Sequence, residues 1–124
     1  MDKYTIKITK EFTDENMEDI VVTALEGGIG YWACLDNTGK EWNDQPDDTP
    51  TSEYAWKILK DGGELHFLDE EDDGSEYFLC LPCFINGIKQ AIQNGYWDGD
   101  MDSIDAEIAD IIFQYAIFND IVYG

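Results

Sequence analysis

"ELHFLDEEDDGSEYFLCLP", residues 64–82, places two short apolar runs on either side of an acidic turn. ELHFL and EYFLCL have the length and apolar content of strands. The DEEDDGS between them, closing on Gly-Ser, predicts an antiparallel hairpin with a loop of about seven residues. Pro82 has no N–H to give to a strand ladder but suits the first turn of a helix, so PCFINGIKQAIQNG is expected to be helical. A hairpin that runs directly into a helix points to an α+β fold, not to a parallel sheet built from crossovers.

The flanking segments extend this pattern. In YTIKITK, residues 4–10, Tyr4, Ile6 and Ile8 alternate with Thr5, Lys7 and Thr9, which predicts a first, half-buried strand. Thr13 offers an N-cap and Asp14 and Glu15 suit a helix start. Met17, Ile20, Val21, Ala24 and Leu25 then recur at helical spacing as far as Glu26. Gly27 and Gly28 are expected to stop that helix in the left-handed conformation. YWACL reads as a short buried strand. Thr51 is expected to cap a second helix, which runs to Lys60 with Tyr54, Ala55, Ile58 and Leu59 inward, and DGG closes it. Beyond YWDGDMDS a fourth helix covers Asp105 to Phe118, burying Ile108, Ile111, Ile112, Tyr115 and Ala116, and DIVYG forms a last short strand. The expected order is β-α-β-α-β-β-α-α-β, a small, mostly antiparallel sheet packed with about four helices in a single domain over residues 1–124.

Charge is the outlying property. There are 28 Asp and Glu against seven Lys and no Arg, a net charge of −21, yet an aromatic content of 14%, four Trp included, argues for a packed core and against disorder. Direct binding of nucleic acid or of an anionic membrane is disfavoured. No guanidinium is present to grip phosphate, and Lys3, Lys7 and Lys10 all fall in the first ten residues. MDKYTIKITK has no apolar leader-like core, no run is long enough to span a bilayer, and three cysteines fit reduced thiols better than a disulfide framework. The expectation is a cytoplasmic protein whose charge serves either solubility, as in a salt-rich habitat, or attraction to a strongly basic partner.

Individual chemical motifs are weak. Asp98, Asp100 and Asp102 have the opening spacing of a calcium loop, but Ser103 and Ala109 stand where its Gly and bidentate Glu belong, so these carboxylates are read as capping the fourth helix. Cys80-Leu81-Pro82-Cys83 is a C-x-x-C, open to three readings: core filling, a redox pair or half a zinc site. His66 alternates with Leu65 and Phe67 and is expected at the surface. It is the one His, and no nucleophile–base arrangement can be placed around it, so an enzyme is the least favoured class and no cofactor or metal is expected. GGIGYW follows a helix instead of a strand, which excludes a dinucleotide fingerprint. Gly30 is read there as room for close packing, and Tyr31 and Trp32 as an aromatic wall of the core. Alternatively Tyr31, Trp32, Tyr96 and Trp97 are stacking platforms for a small ligand such as a nucleotide.

The remaining signal is the carboxylates. Asp14, Glu15, Glu18 and Asp19 lie on the first helix about 6 Å apart per turn, a spacing that can imitate successive phosphates. Asp69, Glu70, Glu71, Asp72 and Asp73 occupy the hairpin turn, and Asp98, Asp100 and Asp102 the approach to the last helix. Gathered on one side, they would fill the basic groove of a nuclease.

The stretch ITKEFTDENMEDIVVTALEGGIGYW, the helix CFINGIKQAIQNG and the ending IDAEIADIIFQYAIFNDIVYG together resemble a group of small acidic proteins encoded in bacteriophage and prophage genomes. The most specific pieces are Glu26-Gly27-Gly28 followed by Tyr31-Trp32, and Gln114-Tyr115-Ala116 followed by Ile121-Val122-Tyr123-Gly124. Residues 36–50 look particular to this chain. In charge and size the chain is also similar to anti-restriction and anti-CRISPR inhibitors. The resemblance implies an inhibitor of host defence that binds a basic nucleic-acid-handling host protein by DNA mimicry. A nucleotide-sequestering module, or a non-enzymatic accessory protein working through self-association, are the alternatives. No residue roles come with it.

Overall fold

The computed structural model describes residues 2–70 and 74–124. Four helices, α1 (Asp14–Thr23), α2 (Thr51–Lys60), α3 (Leu81–Gln93) and α4 (Ala106–Phe118), pack with a sheet of three strands, β1 (Ala33–Asp36), β2 (Leu65–Asp69) and β3 (Glu76–Leu79). The fold is α+β, and the sheet is antiparallel throughout in the order β1-β2-β3. The hairpin of residues 64–82 is therefore present, with Leu65 opposite Leu79 and Phe67 opposite Tyr77. Glu71, Asp72 and Asp73 of its loop lie outside the described residues. Leu65, Phe67 and Leu79 are buried on the inner face, whereas His66, Leu68 and Phe78 lie on the outer one.

Helix α1 starts as its residues dictate. The Thr13 hydroxyl accepts from the Asn16 N–H at 3.1 Å while the Asn16 side chain accepts from the Thr13 N–H at 3.0 Å, a reciprocal cap. Its end differs from expectation. The helix widens into a π turn, Ala24–Gly28, closed by the Ile29 N–H on the Ala24 carbonyl at 3.0 Å, and neither Gly27 nor Gly28 takes a positive φ. The glycine at 28 serves proximity instead: a Cβ there would stand 2.8 Å from the Ala106 carbonyl oxygen of α4. Gly30, expected to provide that room, faces open space. Helix α2 is not capped by Thr51, which is its first helical residue with Pro50 at the N-cap, but it does end on a left-handed glycine, Gly62 at φ +93.

The two predicted outer strands do not form. Residues 4–10 form no strand, with Tyr4, Ile6 and Ile8 between 79% and 85% exposed. Alternation makes a two-faced chain, but a strand also needs a neighbour. Here Ile8, Lys10 and Phe12 run along Ile85, Ile88 and Ile92 of α3, away from either sheet edge. Residues 120–124 are not a strand either. Asn119 turns the chain back in the left-handed conformation at φ 57, and a side chain then replaces the missing strand: the N–H groups of Val122 and Tyr123 both donate to Gln114 Oε1 at 2.8 Å, and Gln114 Nε2 donates to the Tyr123 carbonyl at 3.1 Å.

Helix α4 is the centre of the fold. It packs on α3, α1, the π turn and β3, and the run Ile112, Phe113, Gln114, Tyr115 and Ala116 is buried without a break. Its approach to α3 is closest at Gly87, where a Cβ would lie 2.8 Å from the Ala116 Cβ and closer still to the Ile112 carbonyl oxygen. Gly87→Ala would gain some helix propensity but force the two backbones apart. It is expected to lower stability by about 1–3 kcal/mol in urea unfolding.

Candidate functional site

The predicted site residues fall in three places. On α1, Asp14 accepts a hydrogen bond from Trp56 Nε1 at 3.1 Å and pairs with Lys60 at 2.9 Å, tying the helix start to α2. Those bonds, the Lys60 contact first, hold its carboxyl below the ordinary range. Glu15 and Asp19 are exposed, and Glu18 is half-buried. At the hairpin, Asp69 accepts from the hydroxyls of Tyr77 and Tyr123, the latter at 2.8 Å, so it belongs to the packing of the C-terminal segment and not to an open surface. The Glu70 N–H donates to the Trp32 carbonyl at 3.0 Å. Glu71, Asp72 and Asp73 are outside the described residues.

The third set does not cap α4, as expected of it. That cap is Asp105, which accepts from the Ile108 N–H at 2.8 Å. Asp98 accepts from the Asp100 N–H at 2.9 Å and the Ser103 hydroxyl at 3.0 Å, and Asp100 accepts from the Asp102 N–H at 2.9 Å. Each carboxylate thus caps the turn that follows it, which depresses the Asp98 carboxyl, the Asp100 N–H being the largest cause. Among the described residues, no three His, Cys, Asp or Glu side chains are grouped to hold a metal ion.

One acidic concavity emerges that the sequence only half indicates. Glu18 of α1, Glu53 and Lys57 of α2, and Asp61 and Asp44 from the flanking loops surround a depression of about 410 Å³. Its lone cation, Lys57, is already engaged by Asp61 at 2.9 Å. Burial first, then the charges of Glu53, Asp14, Asp19 and Glu15, push the Glu18 carboxyl above the ordinary range. Several carboxylates therefore act on Glu18 at once. Glu53, Asp44 and Asp61 were not among the predicted residues; the signal available was the Glu53, Lys57, Asp61 spacing on the outer side of α2.

A second concavity of about 700 Å³ runs along α4, with Gly27, Gly28 and Tyr31 on one side and Tyr96, Ile121 and Tyr123 among its other walls. Its floor is Asp110, which accepts from the Tyr31 hydroxyl at 2.6 Å, Trp32 Nε1 at 2.7 Å and Gln114 Nε2 at 2.9 Å. Of the four proposed stacking platforms, Tyr31 and Tyr96 are half-exposed on this cleft. Trp32 and Trp97 are buried, Trp32 stacked 5.2 Å from Tyr123, and so cannot receive a ligand. Tyr31 is thus a rim residue and not the core wall it was read as.

His66 lies less open than alternation implied. Its Nδ1 stands 3.0 Å from Asp36, its opposite number on β1, and its ring stacks 4.7 Å from Phe78. No Ser or Cys nucleophile is described at its Nε2, which lies 3.6 Å from Glu76. Comparison with family models, with curated proteins and with solved structures finds no match, so the functional reading rests on this geometry.

Two measurements check these sites. Asp110→Ala strips three donors of their acceptor, two of them on buried side chains, and should cost about 3 kcal/mol or more in urea unfolding. Asp110→Asn, which keeps an acceptor oxygen, should cost clearly less. For Glu18, the fold raises the carboxyl above its ordinary value of 4.5, so the folded chain holds that proton more tightly than the unfolded one. The Glu18 contribution to stability therefore declines as pH rises through the window above 4.5. A carboxyl carbon NMR titration should place Glu18 above the exposed glutamates, and Glu53→Gln should move its midpoint down.

Proposed function

We propose that this protein is an acidic, non-enzymatic inhibitor of phage-encoded type that binds a basic nucleic-acid-handling protein of the host through the α1–α2 face. The observation that carries the reading is the depression between those helices, where Glu18, Glu53, Asp44 and Asp61 surround a single, already paired lysine. Such a concavity suits a Lys or Arg side chain that would otherwise hold a phosphate. Glu15 and Asp19 extend the negative surface along α1 at the one-turn spacing that imitates a nucleic-acid backbone. The overall charge of −21 would speed encounter with a basic groove.

The alternative of a small-molecule binder finds its support in the cleft along α4. No lysine or histidine is among the residues that line it, which favours a neutral or cationic occupant over a nucleotide phosphate. Native mass spectrometry of protein taken directly from cells would show such a ligand as an added mass.

The main reading is tested by capture from host lysate followed by binding measurements on the captured protein. A nuclease or other nucleic-acid-binding protein should be retrieved. Its affinity should fall steeply between about 50 and about 500 mM salt, and DNA should compete. Glu18→Lys combined with Glu53→Lys should weaken binding by about tenfold or more, mainly through the association rate, whereas Asp98→Asn should leave it unchanged. Retrieval of no nucleic-acid-handling protein, or binding indifferent to salt, overturns the proposal.

A further inference from the structure

The C-x-x-C lies where a strand ends and a helix begins. Cys80 follows β3 directly and is the N-cap of α3, Pro82 sits in the first turn, and Cys83 is one turn in. The two sulfurs are 2.8 Å apart. Both residues are half-buried, so the pair is neither sealed in the core nor free to swing away. Simple core filling does not account for this, because only Cys83 packs against the apolar cluster.

The helix they share is distinctive. Helices α1, α2 and α4 each carry an acid in the first turn, respectively Asp14 with Glu15, Glu53, and Glu107. Helix α3 carries none, and its N-cap makes no side-chain hydrogen bond. In a chain with 28 acids, the positive end of that helix carries no carboxylate on its own first turn, and the two thiols stand there instead. At Cys83, contact with Cys80 first, and burial second, push the thiol up, with Glu64 adding to the effect. Cys80, at the N-cap and off the apolar cluster, is placed as the nucleophile, and Cys83, one turn in and packed on the core, as the resolving thiol.

We propose that Cys80 and Cys83 form a thiol–disulfide exchange site that reduces disulfides carried by positively charged molecules. The Cys80 thiolate attacks one sulfur of the substrate disulfide. A Cys80–substrate S–S bond forms as the original S–S bond breaks, and the expelled thiolate leaves with the bonding pair and takes a proton from water. Cys83 then loses its proton to solvent and attacks the Cys80 sulfur, which releases the second substrate thiolate. Two protein thiols become one disulfide and one substrate disulfide becomes two thiols, with two electrons passed across. The preference for cationic substrates follows from the net charge of −21, which attracts them and repels anionic ones. This site stands apart from the α1–α2 face and does not depend on what that face binds.

The test uses the reduced full chain with Cys34→Ser, which removes the exposed third thiol on β1. It is mixed with cystamine, a dicationic disulfide, or with anionic glutathione disulfide, then acid-quenched and read by intact mass. The reference protein should lose two hydrogens without keeping an adduct. Cystamine should act about tenfold faster than glutathione disulfide at low salt, with the gap narrowing as salt is added. Adding Cys83→Ser should trap the mixed disulfide on Cys80. Adding Cys80→Ser should slow reaction about tenfold, because the thiol at the helix N-cap is gone and the one that remains is packed against the core. Stable single adducts on the reference protein, or no charge preference between the probes, overturn the proposal. The closure readout needs no change near α3, so a poorly folded variant does not leave it unread.

Discussion

The fold depends on a polar pair in the middle of an apolar helix. Asp110 and Gln114 are one turn apart on α4, and between them they engage Tyr31, Trp32, Val122 and Tyr123. Asp110 secures the segment that enters β1, and Gln114 gives the C-terminal segment the partners that a neighbouring strand would have supplied. Tyr123, held this way, stacks on Trp32, and its hydroxyl reaches Asp69 at the end of β2. Three segments distant in sequence thus converge on one helix turn. In a dry site these bonds are strong, and each would be costly to leave unmade.

That convergence explains what was legible beforehand. The hairpin, the N-cap at Thr13 and the spans of α2, α3 and α4 follow from local rules, because apolar spacing and capping residues act within a few positions. The outer strands did not follow. YTIKITK has the alternation of a strand but leaves along α3, and DIVYG meets a glutamine side chain instead of a β edge. The available clue was IADIIFQYAIF, in which two polar residues four apart interrupt an apolar helix. Such residues are buried only with partners, and their spacing on one face announces that the partners come from elsewhere. Likewise the spacing of Gly27, Gly28 and Gly30 did not reveal which of them α4 approaches.

The candidate site was legible by halves for the same reason. Asp14, Glu15, Glu18 and Asp19 share a helix, so their grouping is local. Glu53, Asp44 and Asp61 join Glu18 only because α2 packs on α1 and the loop before α2 folds beside both. Counting acids along the chain also overstates the free ones. Asp69 is consumed by two tyrosines, Asp98 and Asp100 by turns, and Asp105 by a helix start, whereas at the α1–α2 side Glu18 faces the charges of Glu53, Asp14, Asp19 and Glu15.

A chain with this charge cannot distribute its acids arbitrarily and remain folded, since like charges destabilise the compact state. Many of them stand where a positive partial charge already exists: Asp14 and Glu15 at α1, Glu53 at α2, Asp105 and Glu107 at α4, and Asp98 and Asp100 over turn amides. Helix dipoles and orphan N–H groups thus do the neutralising that seven lysines cannot. Against that pattern the exception at α3 carries meaning. An acid at Leu81 or Cys83 would have added the same small stabilisation gained at the other three helices, yet the N-cap and first turn of α3 together hold two thiols and a proline. A thiol placed there can ionise and enter thiol–disulfide exchange, and a permanent carboxylate beside it would disfavour that ionisation by repulsion.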